Sequence, residues 1–196
     1  MGHAEPEVGE RADAESTGGD RILCPGANGE CLEEPLSGIG LHLGCGKKLW
    51  EGWLNLDGIT GTDIRKLPFA NDYADRAVSI HVIEHFYLWE IPPLLAEWKR
   101  VLKPGGKLIL ELPCMDKVLH YMSECLRLKA PMDIQMTWYA LYGDPGHRRV
   151  EMMHKWGYTK TMIVEELQEA GFVDVKIEKP RYHVAIRDMR VTATKP

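Results

Sequence analysis

No apolar run in this chain approaches the roughly 20 residues that span a bilayer, and the N-terminus lacks the apolar core of a signal peptide. These two absences predict a cytoplasmic protein with no membrane partner. An excess of basic residues is missing too, because the formal net charge is −5. Residues 1–34 hold nine acids (Glu5, Glu7, Glu10, Asp13, Glu15, Asp20, Glu30, Glu33, Glu34) against Arg11 and Arg21, which leaves a body of about +2. A body so near neutrality argues against long contacts with a nucleic-acid duplex. The five cysteines, Cys24, Cys31, Cys45, Cys114 and Cys125, form no zinc pattern of two close pairs, and their odd number argues against a complete disulfide set. They read as reduced and non-catalytic.

The chain of 196 residues is long enough for one domain with a real core. Segment 1–36 is expected to be an acidic, largely disordered tail, since residues 1–20 carry only Val8 as a large aliphatic after Met1. Residues 37–196 form the expected domain. Gly40–Leu43, Trp53–Leu56, Thr62–Ile64 and Arg76–Ile80 read as strands. Pro92 and Pro93 open a helix whose Leu94, Leu95, Trp98, Val101 and Leu102 repeat at helical spacing. Lys103-Pro104-Gly105-Gly106 ends it and turns into a buried strand over Lys107–Leu112. A second helix is predicted from Thr159 to Ala170, with Gly171 as its stop, followed by strands near Phe172–Ile177 and Tyr182–Thr194. Segment 113–158 shows no clean period, and its methionine-rich part, 115–136, reads as an adaptable lid. Alternating strands and helices predict an α/β fold. Only nine residues, Gly44 to Gly52, separate the first two strands, where a parallel crossover usually needs a dozen or more. A first helix shrunk to a turn resolves the conflict.

The chemistry gathers at Leu43-Gly44-Cys45-Gly46 and at Asp57. Glycines at a strand's carboxyl end let the backbone approach a ligand, and a carboxylate ending the next strand can hold two vicinal ribose hydroxyls. A dinucleotide fingerprint is incomplete, because Leu49 stands where the third glycine belongs. No Lys-Ser or Lys-Thr pair follows the glycines, so a P-loop is excluded as well.

Five segments in order resemble the class I S-adenosylmethionine-dependent methyltransferases over about residues 39–194: the glycine motif, Asp57, Asp63-Ile64-Arg65 with Leu67-Pro68-Phe69, His81-Val82-Ile83-Glu84-His85-Phe86, and Arg100–Leu108. The resemblance implies a doubly wound, mostly parallel seven-stranded sheet of the Rossmann-like methyltransferase kind, its last strand antiparallel. It implies S-adenosylmethionine as cofactor. Gly44, Cys45 and Gly46 would wrap the methionine end and Asp57 would hold the ribose. Asp63 and Ile64 would hold the adenine, and His81 would line the amino-acid end. The chain departs from the family's pattern in lacking a helix after Gly46.

Histidines titrate near neutral pH, so His85 and His147 are the candidate bases, while His42, inside the first strand, reads as a packed core residue. Glu84 with His85 also reads as a local helix cap. Tyr142–Arg149 and His154–Tyr158, between the fifth strand and the last helix, form the expected substrate wall, with His147, Arg148, His154 and Trp156 facing the acceptor. Cationic and aromatic groups together suit an acceptor with negative charge and a flat or sugar-like face. His147 and His154 are seven apart without a third ligand of the same kind, so no metal is expected. Trp50, Trp53, Trp89 and Trp98 read as core and rim packing. The favoured acceptor is a small polar molecule, a sugar, glycan or metabolite. A nucleotide or nucleic acid is the second choice, and a non-catalytic cofactor-binding subunit the third. A homodimer is compatible with the exposed apolar loops.

Overall fold

The computed structural model describes residues 38–196; the acidic segment 1–36, with Cys24 and Cys31, lies outside the described residues. Strand β1 (Gly40–Leu43) is buried at every position and pairs in parallel with β2 (Leu54–Leu56) on one side and β3 (Ala74–Ile80) on the other. Strand β4 (Leu102–Pro113) follows β3 in parallel. The chain ends with β5 (Val173–Glu178) and β6 (Asp188–Thr194), and β6 is antiparallel to both β4 and β5. The sheet order is β2-β1-β3-β4-β6-β5. It reverses direction between β1 and β3, so a crevice opens at the carboxyl ends of those two strands.

Among the described residues six strands stand where seven were expected. Thr62–Ile64 makes no ladder, for two local reasons. Asp63 folds back on Arg65, and the Ile64 carbonyl accepts the buried indole N–H of Trp98 at 2.9 Å. The Lys103–Gly106 turn also differs from expectation, being built into β4 as an irregularity. The register jumps between the Ala74–Leu102 and Arg76–Lys107 pairs, and Gly105 sits at φ +77°. Residues 182–187, read as strand, form turns and bends ahead of β6.

Helix α1 (Ile91–Val101) carries prolines in its first turn, where their missing N–H costs nothing. Its Leu94, Leu95, Trp98 and Val101 are buried against Leu41, Leu43, Ala77, Leu108 and Leu110 of the sheet. Each such side chain contributes roughly 1.5–3 kcal/mol on burial. Two further helices, α2 (Met115–Leu128) and α3 (Trp138–Tyr142), lie in the segment after β4. Residues 115–128, part of the segment read as an adaptable lid, form a regular helix. Its buried positions are only Met115, Val118 and Cys125, while Leu119, Leu126 and Leu128 are exposed, which masked the period. Helix α4 (Lys160–Glu169) is capped by the Thr159 hydroxyl, which accepts from Met162 N, and it buries Ile163 and Leu167 beside α1.

Between β1 and β2 there are only turns, so the first helix is indeed absent. Aromatic side chains gather around that connection. Buried His42 stacks on Trp50 at 4.1 Å, and Trp50 meets Trp53 and Tyr182 at 5.1 and 5.0 Å. The Asn55 side chain ties this layer down, accepting from Trp50 N and donating to the Trp50 and Trp53 carbonyls. Burial lowers the His42 pKa to about 4, outweighing the hydrogen bond with Asn55 and the Asp57 charge. Trp98 is fully buried, whereas Trp89 lies on the surface, stacked on Tyr87 at 4.4 Å. No described helix is long and apolar enough to cross a membrane.

Candidate functional site

The crevice between β1 and β3 is lined on the β1 side by the glycine turn. Gly44 and Gly46 adopt φ +69° and +55°, in the left-handed region that favours glycine. A Cβ on Gly44 would lie 2.4 Å from Val82 Cγ2, so glycine is what allows the ends of β1 and β3 to approach; a Cβ on Gly46 meets no protein atom within 4 Å. Asp57, directly after β2, has its carboxylate fixed by two backbone donors. Oδ2 accepts from Gly46 N at 3.0 Å and Oδ1 from Ile59 N at 2.8 Å. A capping box with Thr60 fixes its backbone. A carboxylate offers about four lone-pair positions, so each oxygen keeps capacity for one further donor. The two hydroxyls of a ribose need that arrangement.

Asp63 pairs with Arg65 through a two-pronged contact, which holds its carboxyl below the usual range. Ile64 is buried beside it, on the turn that stands where a third strand was expected. Burial pushes the Cys45 thiol pKa up, with the Asp57 charge acting in the same direction, which disfavours the thiolate.

His81 closes the β3 side at φ +53°, an uncommon conformation for a non-glycine residue. Its Nδ1 lies 2.9 Å from Glu84 Oε1 and its Nε2 lies 3.2 Å from Asp188 Oδ2. Burial alone would lower the His81 pKa, yet the hydrogen bonds to Asp188 and Glu84 override it and raise the value to about 9. Asp188 is likewise held at about 2, because His81 and Arg187 outweigh its burial. His183 lies against His81, ring centres 4.2 Å apart, and burial together with that positive neighbour lowers its pKa to about 4.

The segment 154–156 docks on Glu84: Lys155 N and Trp156 N both donate to the Glu84 carbonyl, at 2.8 and 3.2 Å. This pairing sets His154 beside His85, ring centres 4.9 Å apart, with His154 Nε2 at 3.9 Å from Glu84 Oε1. The predicted site residues His81, His85, His154 and Trp156 therefore converge. His147, also expected to face the acceptor, is not part of that cluster. His147 sits in an exposed 3-10 turn (Pro145–His147), while His154 turns inward to donate from Nδ1 to the Ala140 carbonyl. Arg148 is exposed and lines a cleft of about 410 Å³ with Trp138, Tyr142, Arg149, Val150 and Met153. Met153 joins the two regions, since its carbonyl accepts from His85 Nδ1 at 3.1 Å.

Sequence reading missed Asp188 and His183 as neighbours of His81. They lie more than 100 residues away on the chain, and nothing local marks them. The depth of Glu84, 1% exposed, was also missed, although its spacing from His81 and His85 within one turn was a usable signal.

Residues 54–110 match the family described as a methyltransferase domain. Among curated proteins none matches the sequence. The fold is similar to that of a Thermotoga maritima protein described as a "SAM-dependent methyltransferase, possible histamine N-methyltransferase", at 18% identity and TM-score 0.51, covering 85% of this chain and 84% of the other. It is similar, at 16% identity and TM-score 0.52, to a chain of the Haloferax volcanii complex between the Trm112 methyltransferase activator and a methyltransferase, covering 81% and 83%. Human N-acetylserotonin methyltransferase, solved with S-adenosylmethionine, is similar at 15% identity and TM-score 0.51, covering 80% of this chain and 47% of the human one. Other similar chains are longer, and this chain spans 62% and 37% of two of them. At such identities the likeness is one of fold. The sheet order, with its one antiparallel strand among the described residues, and the matched methyltransferase-domain segment show a Rossmann-like methyltransferase fold.

Proposed function

We propose that the chain binds S-adenosylmethionine in the crevice between β1 and β3 and methylates a small polar acceptor, a sugar, glycan or metabolite. The observation that carries this reading is Asp57, whose carboxylate is fixed by Gly46 N and Ile59 N with one acceptor position left on each oxygen. When bound, the cofactor supplies an electrophilic methyl group on a sulfonium sulfur. Gly44, Cys45 and Gly46 lie along its methionine end, Asp63 and Ile64 at its adenine, and His81 at its amino-acid end. The His81 side chain, held between Glu84 and Asp188, is rigid enough to orient that end.

Holding acceptor and methyl group in line can contribute several kcal/mol, up to roughly 7–11 in ideal cases. His85, His154, Trp156 and the cleft that includes Arg148 form the proposed acceptor side. Of the two candidate bases, His85 adjoins the convergent cluster and His147 does not. A nucleotide acceptor is the second reading. It is favoured by the cleft itself, where the parallel rings of Trp138 and Tyr142 stand beside Arg148 and Arg149.

Calorimetric titration of the full chain with S-adenosylmethionine, and separately with NAD, tests the reading. Micromolar affinity for the former alone is expected. Binding of neither would refute it, and binding without turnover on sugar, metabolite and nucleotide panels would favour the non-catalytic subunit.

A further inference from the structure

Glu84, His85 and His154 make a cluster that the cofactor does not need. One donor atom of each lies within 4.8 Å of the other two. Glu84 is 1% exposed, and its Oε2 has no hydrogen-bond partner. A buried carboxylate oxygen left unpaired is costly, so its presence asks for a ligand. Both histidines have their Nδ1 occupied by a backbone carbonyl, Met153 for His85 and Ala140 for His154, at 3.1 and 2.9 Å. With the proton held on Nδ1, the lone pair is left on Nε2. This is how a protein presents imidazole to a metal, because the second nitrogen's hydrogen bond fixes tautomer and ring orientation. His81 Nδ1 lies 2.9 Å from Glu84 Oε1, an ion-pair contact that holds the carboxylate in place.

We propose that Glu84, His85 and His154 bind one divalent first-row transition-metal ion. Two imidazoles and one carboxylate suit zinc, iron or cobalt better than magnesium or calcium, which prefer all-oxygen shells. Tetrahedral coordination with bonds near 2.0–2.2 Å needs donors about 3.4 Å apart, so the cluster closes by small side-chain adjustments. Three protein ligands leave at least one position open, the pattern of a site that binds a substrate oxygen or water.

The neighbouring group of His81, His183 and Asp188 is a poorer candidate, because its cation is already in place. Arg187 contacts both Asp188 oxygens, at 2.6 and 3.0 Å.

The consequence rests on the methyl transfer proposed above. The ion would stand next to His81, at the carboxyl end of β3, and would take an acceptor hydroxyl into its open position. There the hydroxyl loses its proton to solvent more readily, the bonding pair staying on oxygen. This narrows the acceptor class to molecules with a metal-binding hydroxyl and gives His85 a ligand's role in place of a base's.

The test uses the full chain made metal-free by chelation, then titrated with Zn²⁺ by calorimetry and with Co²⁺ by visible absorption. One high-affinity ion per chain is expected, with a cobalt spectrum of tetrahedral or five-coordinate nitrogen and oxygen ligation. His85→Ala, His154→Ala and the near-isosteric Glu84→Gln should each weaken affinity at least about a hundredfold, while His183→Ala leaves it unchanged. Circular dichroism checks that the variants fold, and the cobalt spectrum of the unaltered chain needs no variant. Absence of binding at 100 µM metal (roughly the −5.5 kcal/mol limit of a useful site) would overturn the proposal. Unchanged affinity in folded His85→Ala and His154→Ala, or loss only in His183→Ala, would do the same. S-adenosylmethionine affinity measured on the metal-free chain separates the two ideas, since the cofactor reading stands or falls there without the ion.

Discussion

Two glycines, two residues apart, should respond to the same substitution differently, one chiefly in stability and the other chiefly in cofactor affinity. Gly44 and Gly46 both hold left-handed backbone, so alanine at either costs about 1–2 kcal/mol in conformational strain. At Gly44 the added methyl meets Val82 Cγ2 at 2.4 Å in a packed region, which adds roughly 1–3 kcal/mol for overpacking. Gly44→Ala should therefore lose about 2–5 kcal/mol of stability. At Gly46 the methyl meets no protein atom, so the loss stays near 1–2 kcal/mol. Its N–H, however, donates to Asp57, and the methyl projects where the methionine end of the cofactor is proposed to pass. S-adenosylmethionine affinity should fall at least about tenfold, or ~1.4 kcal/mol. Gly52→Ala, also at positive φ and also unobstructed, is the control that carries the backbone strain without the affinity loss. Urea unfolding gives the stabilities and calorimetry the affinities. Unchanged cofactor affinity in Gly46→Ala, or a Gly44→Ala variant as stable as Gly46→Ala, would refute the reasoning.

Asp57→Ala removes a cap worth about 1 kcal/mol and both ribose acceptor positions. Cofactor affinity should drop by at least tenfold in calorimetry, and an unchanged value would sink the assignment. The neutral form of His42 is favoured by folding, since its pKa falls from 6.5 to about 4. Stability from this group is full above pH 6.5 and is lost as pH falls, by roughly 2 kcal/mol at pH 5 and about 3 below pH 4. Between pH 7.5 and 5, urea unfolding should show a stability change in His42→Gln that differs from the native chain's by roughly 2 kcal/mol, the contributions of His81 and His183 being common to both; equal pH slopes would disprove it. His147→Ala should leave cofactor affinity unchanged and lower turnover, and loss of cofactor binding in a folded variant would show that the 145–149 turn has been misplaced.

Local chemistry was readable where a segment's own residues decide its structure. Strand β1 matches its expected bounds, and the double proline opens α1 within one residue of where the spacing placed it. Thr159 caps α4, and Asp57 ends β2. The failures share a physical cause. Thr62–Ile64 has strand-forming residues, but a strand exists only through its partner, and Trp98 of α1 takes the Ile64 carbonyl instead. Helix α2 escaped notice because it buries one narrow stripe and leaves three leucines on its surface, so its hydrophobic pattern does not stand out.

The sequence by itself determined the α/β class, the glycine turn and its carboxylate, because each depends on residues within a few positions of one another. Only the tertiary structure decided which histidines meet. His154 reaches Glu84 and His85 across about 70 residues because two backbone N–H groups beside it seek the Glu84 carbonyl. Asp188 reaches His81 across 107 residues because β6 runs antiparallel and brings its first residue to the carboxyl edge of the sheet. Contacts of that span are set by strand order and direction, which no local pattern encodes.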